Sequence, residues 1–236
     1  MLKGKGLLTP IQKAFLAAFA ELPDQAQFYL AGGTALAEFY LGHRLSFDLD
    51  LFTAQADLIL PVSFQVEAIC PSRGLQVSVT RRFATFVDLL LASGEEKLRV
   101  ELALDSPFRF EPPTLSEHRV WVNDFQDLKV DKLLTYFGRA EPRDAIDLYF
   151  ILQQESVDSL LALAAQKDPG FDLYWFAVVL NQAAEFPDEP DRWPVKMMLP
   201  FDPLDLKRTF HSLAMELMSR VTSGGSSTNK RIGLGA

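Results

Sequence analysis

Two aspartates, Asp48 and Asp50, stand two positions apart in the segment FDLDLF, residues 47–52. Apolar and acidic residues alternate there, which is the period of a half-buried strand, so both carboxylates point to one face. Neighbouring carboxylates repel each other, and a divalent cation relieves that repulsion. Mg²⁺ is commonly held by one or two carboxylates together with substrate phosphates. Taken alone, the pair is equally consistent with a solvated acidic stripe on an exposed strand.

A diglycine, Gly32-Gly33, lies upstream between the apolar segment FYLAG and a helical pattern that runs from Thr34 to Leu41. Glycine lets a backbone approach a ligand closely. The start of a helix offers free N–H groups and the positive end of a dipole to a phosphate. Such a turn is more often only a tight connection. Combined with the two aspartates at this spacing, however, it predicts a site for a metal and a phosphate-bearing ligand.

The elements that position these residues follow from the periodicity of the front half. Thr9 and Pro10 predict the start of an amphipathic helix, with Thr9 as the N-cap. FYLAG and FDLDLF predict strands, and Gly42 ends the helix between them. A further helix is expected over residues 61–70. The segments GLQVSVT, FATFVDLLLA and KLRVELAL then predict three strands of an antiparallel meander.

The back half of the chain has a helical pattern throughout. Helices are expected over residues 125–138, 143–153, 157–167, 172–185 and 203–221. The proline-rich segment FRFEPPTL, residues 108–115, predicts a linker. We therefore expect an α/β core domain over residues 1–112, a helical domain over 113–222 and a flexible tail over 223–236.

Composition narrows the classes of function. The single cysteine, Cys70, excludes an intrachain disulfide and a cysteine-rich zinc site, and it predicts a small buried side chain. No apolar run is long enough to span a bilayer, so we expect no membrane contact and a cytoplasmic setting. The net charge of −8 argues against tight non-specific binding of nucleic acid. It leaves room for a local basic cleft or a basic partner protein.

The stretch GGTALAEFYLGHRLSFDLDLF, residues 32–52, resembles the nucleotidyltransferase fold typified by DNA polymerase β. More closely, it is similar to the AbiEii/AbiGii toxin branch, which runs GGTAL…GHR-x-S-x-D-x-D-L-F. The resemblance implies a mixed sheet with helices, and Mg²⁺ or Mn²⁺ bound by Asp48 and Asp50. It also implies that a nucleoside triphosphate such as ATP or GTP is contacted by the residues of the bend, Gly32, Gly33 and Thr34. The entrance to the site would be shaped by His43, Arg44 and Ser46.

A second stretch, DLKVDKLLTYFGRAEPRDAIDLYFIL, resembles the second motif of the same family. The matching residues are Lys132, Arg139, Arg143, Asp144 and Asp147. Lys132 and Arg139 are two helical turns apart and share one face. The resemblance implies that Lys132 neutralises phosphate charge and that Asp144 or Asp147 serves the catalytic cleft. Alternatively, Arg143 and Asp147 pin a helical hairpin as an i, i+4 ion pair.

A third carboxylate on a neighbouring strand is usual in this fold, and Glu101 in LRVELALD is the candidate. The toxin branch usually has aspartate there, so glutamate is a departure that bears on activity. Asp105, four residues along on the same strand face, is a substitute, and Asp88 is a weaker one. Glu101 can also be read as an ordinary exposed strand residue.

The function expected from the resemblance is metal-dependent transfer of a nucleoside monophosphate to an acceptor hydroxyl, with release of pyrophosphate. Two Mg²⁺ ions roughly 4 Å apart would clamp the attacking and leaving oxygens. Asp48, Asp50 and Glu101 would bind them, and Glu101 would orient or deprotonate the hydroxyl. RNA or tRNA is the acceptor considered first, and a cognate antitoxin protein is the expected partner. The alternatives are a degenerate nucleotide-binding relative and a protein-interaction module built on the helical half.

Overall fold

The computed structural model describes residues 1–225, which form two compact units. The first unit comprises Met1–Leu128 together with Val195–Leu199. The second comprises Lys129–Pro194 and the described residues from Pro200 onward. Most of the tail expected over 223–236 lies outside the described residues, and residues 223–225 belong to the last helix.

A mixed sheet of seven strands organises the first unit. In chain order the strands are β1 (Tyr29–Ala31), β2 (Leu49–Thr53), β3 (Gln76–Phe83), β4 (Phe86–Ser93), β5 (Glu96–Leu104), β6 (Thr114–Leu115) and β7 (Trp121–Val122). Across the sheet the order is β3-β4-β5-β2-β1-β7-β6. β2 is antiparallel to β1 and parallel to β5, so the sheet is mixed, as expected.

The antiparallel meander predicted from the sequence is present as β3, β4 and β5. The turn between β4 and β5 contains Gly94, whose φ of +61° is the left-handed conformation that glycine adopts without strain. The register shifts between Val79 and Arg81, which marks a bulge in the edge strand β3.

Helices α1 (Pro10–Phe19), α2 (Gly32–Ala35) and α3 (Ala56–Ile69) complete the first unit. Thr9 caps α1 in a capping box with Gln12, which confirms the predicted start. The helix expected over Thr34 to Leu41 begins earlier, as α2, and continues as a π-helix over Leu36–Leu41. α3 also starts earlier than expected, and Pro61 lies inside it rather than at its beginning.

Alternating burial divides the central strands into two faces. Leu49 and Leu51 on β2 and Val100 and Leu102 on β5 are fully buried, and α3 packs against these strands. Each such side chain contributes roughly 1.5–3 kcal/mol through burial. The intervening residues, including Asp50, point to the opposite face, so the hydrophobic core holds the carboxylates in place from behind.

Residues 113–128 belong to the first unit, although the sequence placed the end of the core domain at residue 112. The reason is that β7 pairs in parallel with β1, and β6 pairs with β7. Strands of two residues are too short to leave a periodic signal. The chain also returns to the first unit at Val195–Leu199.

The helices that follow the sheet are α4 (Phe125–Arg139), α5 (Pro142–Leu152), α6 (Val157–Lys167), α7 (Leu173–Asn181) and α8 (Pro203–Gly225). They confirm the expected helical back half. The boundary between the units falls within α4. Aromatic rings fill the core of the second unit, for example Tyr136 against Phe210 at 5.3 Å between ring centroids. Within the described residues, no helix is both long and apolar enough to cross a bilayer.

Candidate functional site

Three carboxylates lie side by side across neighbouring strands of the sheet. Asp50 on β2 is in register with Glu101 on β5, and Glu101 is in register with Asp88 on β4. Adjacent strands are about 4.8 Å apart, so this row brings together acidic groups that are far apart in sequence. We call the side of the sheet that bears these residues the carboxylate face.

The diglycine bend lies directly against Asp50. Ala31, the last residue of β1, is in register with Asp50, and the next residue, Gly32, has a φ of +66°. A Cβ atom at Gly32 would lie 1.8 Å from Oδ2 of Asp50, closer than atoms can approach. Glycine at this position therefore leaves the space that the Asp50 carboxylate occupies.

Gly33 makes a similar close approach to the loop that precedes β2. A Cβ atom at Gly33 would lie 2.6 Å from Nη2 of Arg44 and 3.0 Å from Oγ of Ser46. Both polar groups therefore lie beside the bend. His43 differs, because its side chain is fully buried and does not line an entrance.

The loop that carries Arg44 is held by the returning segment Val195–Leu199. The amide of Leu45 donates to the carbonyl of Lys196 at 2.8 Å, and the amide of Met198 donates to the carbonyl of His43 at 2.8 Å. Arg44 and Met197 form an antiparallel bridge. A segment about 150 positions away in sequence thus fixes the loop, and no local sequence pattern indicates this.

Thr34 positions the backbone of Asp48. Its Oγ1 donates a hydrogen bond of 2.5 Å to the carbonyl oxygen of Asp48, and the residue is almost fully buried. The bend, the following helix and the start of β2 are therefore joined by one hydroxyl group.

Arg99 is the site residue that the sequence analysis did not single out. Its Nε and Nη2 donate to the two carboxylate oxygens of Asp88 at 3.0 and 3.1 Å, and Nη2 also lies 2.6 Å from Oε1 of Glu101. The hydrogen bond that Arg99 donates to Asp88 is the main cause that raises the pKa of Arg99, with smaller contributions from the charges of Glu101 and Asp48. The residues Arg99 and Glu101 in LRVELALD share a strand face, and this spacing is the signal that could have revealed the pair.

The candidates for the third carboxylate therefore have different hydrogen-bond and ion-pair partners. Glu101 and Asp88 share Arg99, whereas Asp105 accepts a hydrogen bond of 2.6 Å from Tyr29 and pairs with Arg109 at 2.8 Å. Asp105 follows the end of β5, whereas Glu101 is directly in register with Asp50. Register thus places Glu101 rather than Asp105 beside the aspartate pair.

In the second unit, the residues of the second motif converge on one another. Nζ of Lys132 lies 2.7 Å from Oδ2 of Asp147 and 3.2 Å from Oδ1 of Asp144. Nε of Arg139 donates to Oδ2 of Asp144 at 2.7 Å. Both aspartates are fully buried, and this network joins α4 to α5. Arg143 pairs with Glu141 at 3.0 Å. The ion pair of Asp147 that joins the two helices is with Lys132.

Comparison with protein families identifies the family to which the chain belongs. Residues 14–168 match the model of the nucleotidyl transferase AbiEii toxin family, a type IV toxin–antitoxin system. The chain belongs to the AbiEii family. The match includes both motifs, and it confirms the resemblance on which the sequence analysis relied. This AbiEii protein is thus a nucleotidyltransferase of the toxin type. Curated proteins include no significant match.

Two solved structures with the same fold are described as nucleotidyltransferases. One described as a putative nucleotidyltransferase from H. pylori has a TM-score of 0.60 at 16% identity, over 89% of this chain and 93% of that chain. MenT4, a nucleotidyltransferase toxin from Mycobacterium tuberculosis, has a TM-score of 0.54 at 18% identity, over 88% of this chain and 82% of that chain. At these identities the likeness shows the fold, and it confirms the expected fold class.

The donors of this AbiEii site fit a hard divalent cation at the aspartate pair. Asp48 and Asp50 supply carboxylate oxygens on one strand face, which are the ligands that Mg²⁺ and Mn²⁺ prefer. The absence of a side chain at Gly32 makes room for the Asp50 carboxylate itself. Among residues 1–225, no three His, Cys, Asp or Glu side chains are grouped as a metal site. The structure therefore offers a cation two carboxylates, those of Asp48 and Asp50, while Glu101 is paired with Arg99.

Proposed function

We propose that this AbiEii protein transfers a nucleoside monophosphate from a metal-bound nucleoside triphosphate to an acceptor hydroxyl and releases pyrophosphate. The observation that carries the proposal is the close approach of Gly32 to Asp50, which puts a carboxylate ligand for a cation beside a backbone bend suited to phosphate. Reactions of this kind depend on positioning and charge neutralisation more than on covalent chemistry by the protein.

In this proposal Asp48 and Asp50 hold Mg²⁺ or Mn²⁺. When bound, the cation offsets the charge that develops on the phosphate oxygens. Thr34 contributes indirectly, because its hydrogen bond to the Asp48 carbonyl fixes the start of β2. Glu101 orients the acceptor hydroxyl, and Arg99 holds its carboxylate in place through an ion pair of 2.6 Å.

The bend and its neighbours would bind the triphosphate. Gly32 and Gly33 bring backbone close to the phosphates, while the guanidinium of Arg44 and the hydroxyl of Ser46 lie beside Gly33. Arg44 is almost fully buried, and a guanidinium so placed offers fixed N–H donors to phosphate oxygens. Roles for Lys132 and Asp144 in the transfer stay predictions from the second motif.

RNA, with tRNA first, is the acceptor class that we propose, and a cognate antitoxin protein is the proposed partner. The family description supports the partner, since it names a toxin–antitoxin system. The net charge of −8 implies that RNA binding depends on local positive groups and weakens steeply with salt.

The test is transfer of label from each of the four α-labelled nucleoside triphosphates to total RNA, with pyrophosphate release measured in parallel. We expect labelled RNA with the wild-type protein and loss of at least 100-fold in rate with Asp50→Asn. Asp57→Asn is the matched control, because Asp57 is an exposed aspartate in the first turn of α3. Labelled protein in place of RNA would change the acceptor, and retained transfer in Asp50→Asn would refute the proposed site.

A degenerate relative that binds a nucleotide without turnover is the second candidate. The observation in its favour is that Arg99 already engages Glu101 and Asp88. Binding of the metal-bound triphosphate that depends on Asp50, with no pyrophosphate released in the presence of RNA, would support this candidate over the enzyme.

A further inference from the structure

The carboxylate face extends beyond the three carboxylates to the edge strand β3. Asp88 on β4 is in register with Arg81 on β3, just as it is in register with Glu101 on β5. Residues directly opposite each other on neighbouring strands point to the same face of a sheet. Arg81 therefore ends the row that begins at Asp50, about 14 Å away over three strand spacings. Arg81 is exposed.

The bulge in β3 determines which side chains of this strand point to the carboxylate face. The register shifts just before Arg81, so one extra residue reverses the alternation of the strand. Arg81 and Phe83 consequently point to the carboxylate face, whereas Arg82 points to the opposite face. The ion pair of Arg82 with Glu67 of α3 agrees with this assignment, because α3 packs against the core side of the sheet. The bulge thus places one of two neighbouring arginines on the same face as the carboxylates.

Apolar side chains are exposed on the same face. Phe83 is in register with Phe86, and Leu90 is in register with Arg99. Phe83 is 62% exposed and Leu90 is 41% exposed, although burial would stabilise both. Phe86 is half-buried. Exposed rings on an open sheet offer flat surfaces on which unpaired nucleic-acid bases can stack.

Two exposed cations give this part of the face positive charge. Arg81 lies on β3, and Lys97 lies two residues before Arg99 on β5, so the side chain of Lys97 points to the same face. Both cations are exposed. The neighbouring acids, Asp88 and Glu101, are paired with Arg99. A chain with a net charge of −8 thus has a local region that attracts phosphate groups.

We propose that this part of the carboxylate face binds a single-stranded segment of the RNA acceptor. The region, which we call the acceptor surface, consists of Arg81, Phe83, Phe86, Leu90 and Lys97. In this arrangement Arg81 and Lys97 contact phosphates, and a base stacks on the ring of Phe83. The inference rests on the proposed function for the identity of the acceptor.

Two features favour single-stranded RNA as the occupant. An exposed ring can stack on a base that is splayed out of a strand, whereas double-stranded RNA is recognised mostly by its shape. The acceptor surface also adjoins Asp88 and Glu101 in register, so RNA bound there leads towards the carboxylates where an acceptor hydroxyl has to be held. A protein partner would not require this position.

The experiment measures binding without turnover. A short, fluorescently labelled single-stranded RNA is titrated with the full chain in the absence of triphosphate, and its anisotropy is followed at several salt concentrations. The double variant Arg81→Gln with Lys97→Gln should weaken binding about tenfold and lower the slope of log Kd against log salt by about 0.7 for each cation. Phe83→Ala should weaken binding at least about fivefold and leave that slope unchanged.

Matched controls lie on the opposite face of the sheet. The guanidinium of Arg82 lies over the ring of Phe64 on α3, 4.3 Å from its centroid, and Phe64 is 55% exposed. Arg82→Gln removes the same charge from the same strand, and Phe64→Ala removes an exposed ring. Both variants should bind the RNA within about twofold of the wild type, because salt screens a charge that does not contact the RNA. Thermal unfolding shows whether each variant is folded.

Equal weakening in the acceptor-surface variants and their controls would overturn the inference. So would unchanged affinity in a folded double variant, or a wild-type protein that does not bind the RNA. Loss of binding to an antitoxin, with RNA binding retained, would overturn it in favour of a protein interface. RNA binding that depends on the acceptor surface, without transfer of nucleotide, would support the inference and refute the proposed function. Transfer with an unchanged KM for RNA in the double variant would support the proposed function and refute the inference.

Discussion

At the scale of single residues, the site depends on the missing side chain of Gly32 as well as on its charged groups. Gly32 has no side chain, and the Asp50 carboxylate occupies the place that one would fill. Thr34 has a hydroxyl whose hydrogen bond reaches the backbone of Asp48, so a residue expected to contact phosphate also positions a proposed metal ligand. The sequence indicated the residue types at these positions, and it could not indicate which atoms they contact.

Gly32→Ala is expected to abolish binding of the metal-bound triphosphate. The new Cβ would collide with Oδ2 of Asp50, and alanine at a φ of +66° adds strain of about 1–3 kcal/mol. Gly74→Ala separates the two effects, because Gly74 has a φ of +72° but nothing within 4 Å of the position of a Cβ atom. Thermal unfolding and equilibrium binding measure both variants. Equal loss of binding in the two variants would contradict a specific role for the contact with Asp50.

Cys70 gives a reporter of folding in the first unit. Burial raises the pKa of this thiol to about 11, from an ordinary value near 9, and the side chain is fully buried. The folded state therefore holds the proton more tightly than the unfolded state. The corresponding contribution to stability is present below about pH 9 and is lost as the pH rises towards 11.

The expected outcome at pH 8 is a thiol that reacts with a disulfide reagent only after denaturant is added. Time-resolved labelling with and without urea measures it, and a Cys70→Ala variant gives the background. Fast labelling of the native protein would contradict the buried position.

At the scale of elements, the predictions that succeeded rest on local patterns. Thr9 and Pro10 define the start of α1, and the two-residue alternation defines β2 and the meander of β3, β4 and β5. β6 and β7 are too short to carry a pattern, and their pairing is with distant strands. Arg99 was missed for a related reason, because its partner Asp88 becomes its neighbour only through the register of β4 and β5.

The pairing of α4 with α5 leads to a prediction about Lys132. Lys132→Met would leave Asp144 and Asp147 buried with less compensation, and breaking such a pair costs about 3–5 kcal/mol. Chemical denaturation measures the loss. Arg192→Met is the control, because Arg192 and its partner Glu189 are both exposed, and a surface pair contributes about 0–1 kcal/mol.

A triple variant separates the structural role of this network from a role in catalysis. Lys132→Met combined with Asp144→Asn and Asp147→Asn removes the charges together, so most of the stability should return. If nucleotide transfer stays absent in a stable triple variant, the network serves the reaction as the family motif implies. Recovery of both stability and transfer would limit these residues to a structural role.

At the scale of the whole molecule, the order of the chain does not follow the division into units. The segment Val195–Leu199 belongs to the first unit, and its backbone bonds hold the loop of Arg44 and Ser46. Composition and periodicity predicted an α/β half followed by a helical half, and both are present. A return of five residues carries no compositional signature, since its role depends on backbone hydrogen bonds rather than on side chains.

Met198→Pro is expected to weaken binding of the triphosphate at least tenfold, although Met198 is far from the motif in sequence. Proline removes the amide that donates to the carbonyl of His43 at 2.8 Å. Met198→Leu retains this amide and should bind as the wild type does, because the methionine side chain is 48% exposed. Equilibrium binding measures both variants, and equal affinities would show that the backbone bonds made by Val195–Leu199 do not affect the site.

The backbone bonds between Val195–Leu199 and the loop of Arg44 also bear on the order in which the site is completed during synthesis. A ribosome has made Asp48, Asp50 and Glu101 long before it adds residues 195–199, so a nascent chain contains these acidic residues before the loop of Arg44 acquires its backbone partners. A chain terminated before residue 195 would therefore carry the acidic residues without the backbone partners of the Arg44 loop. In a nucleotidyltransferase of the toxin type, this order of assembly delays a finished site until residues 195–199 have been added to the chain.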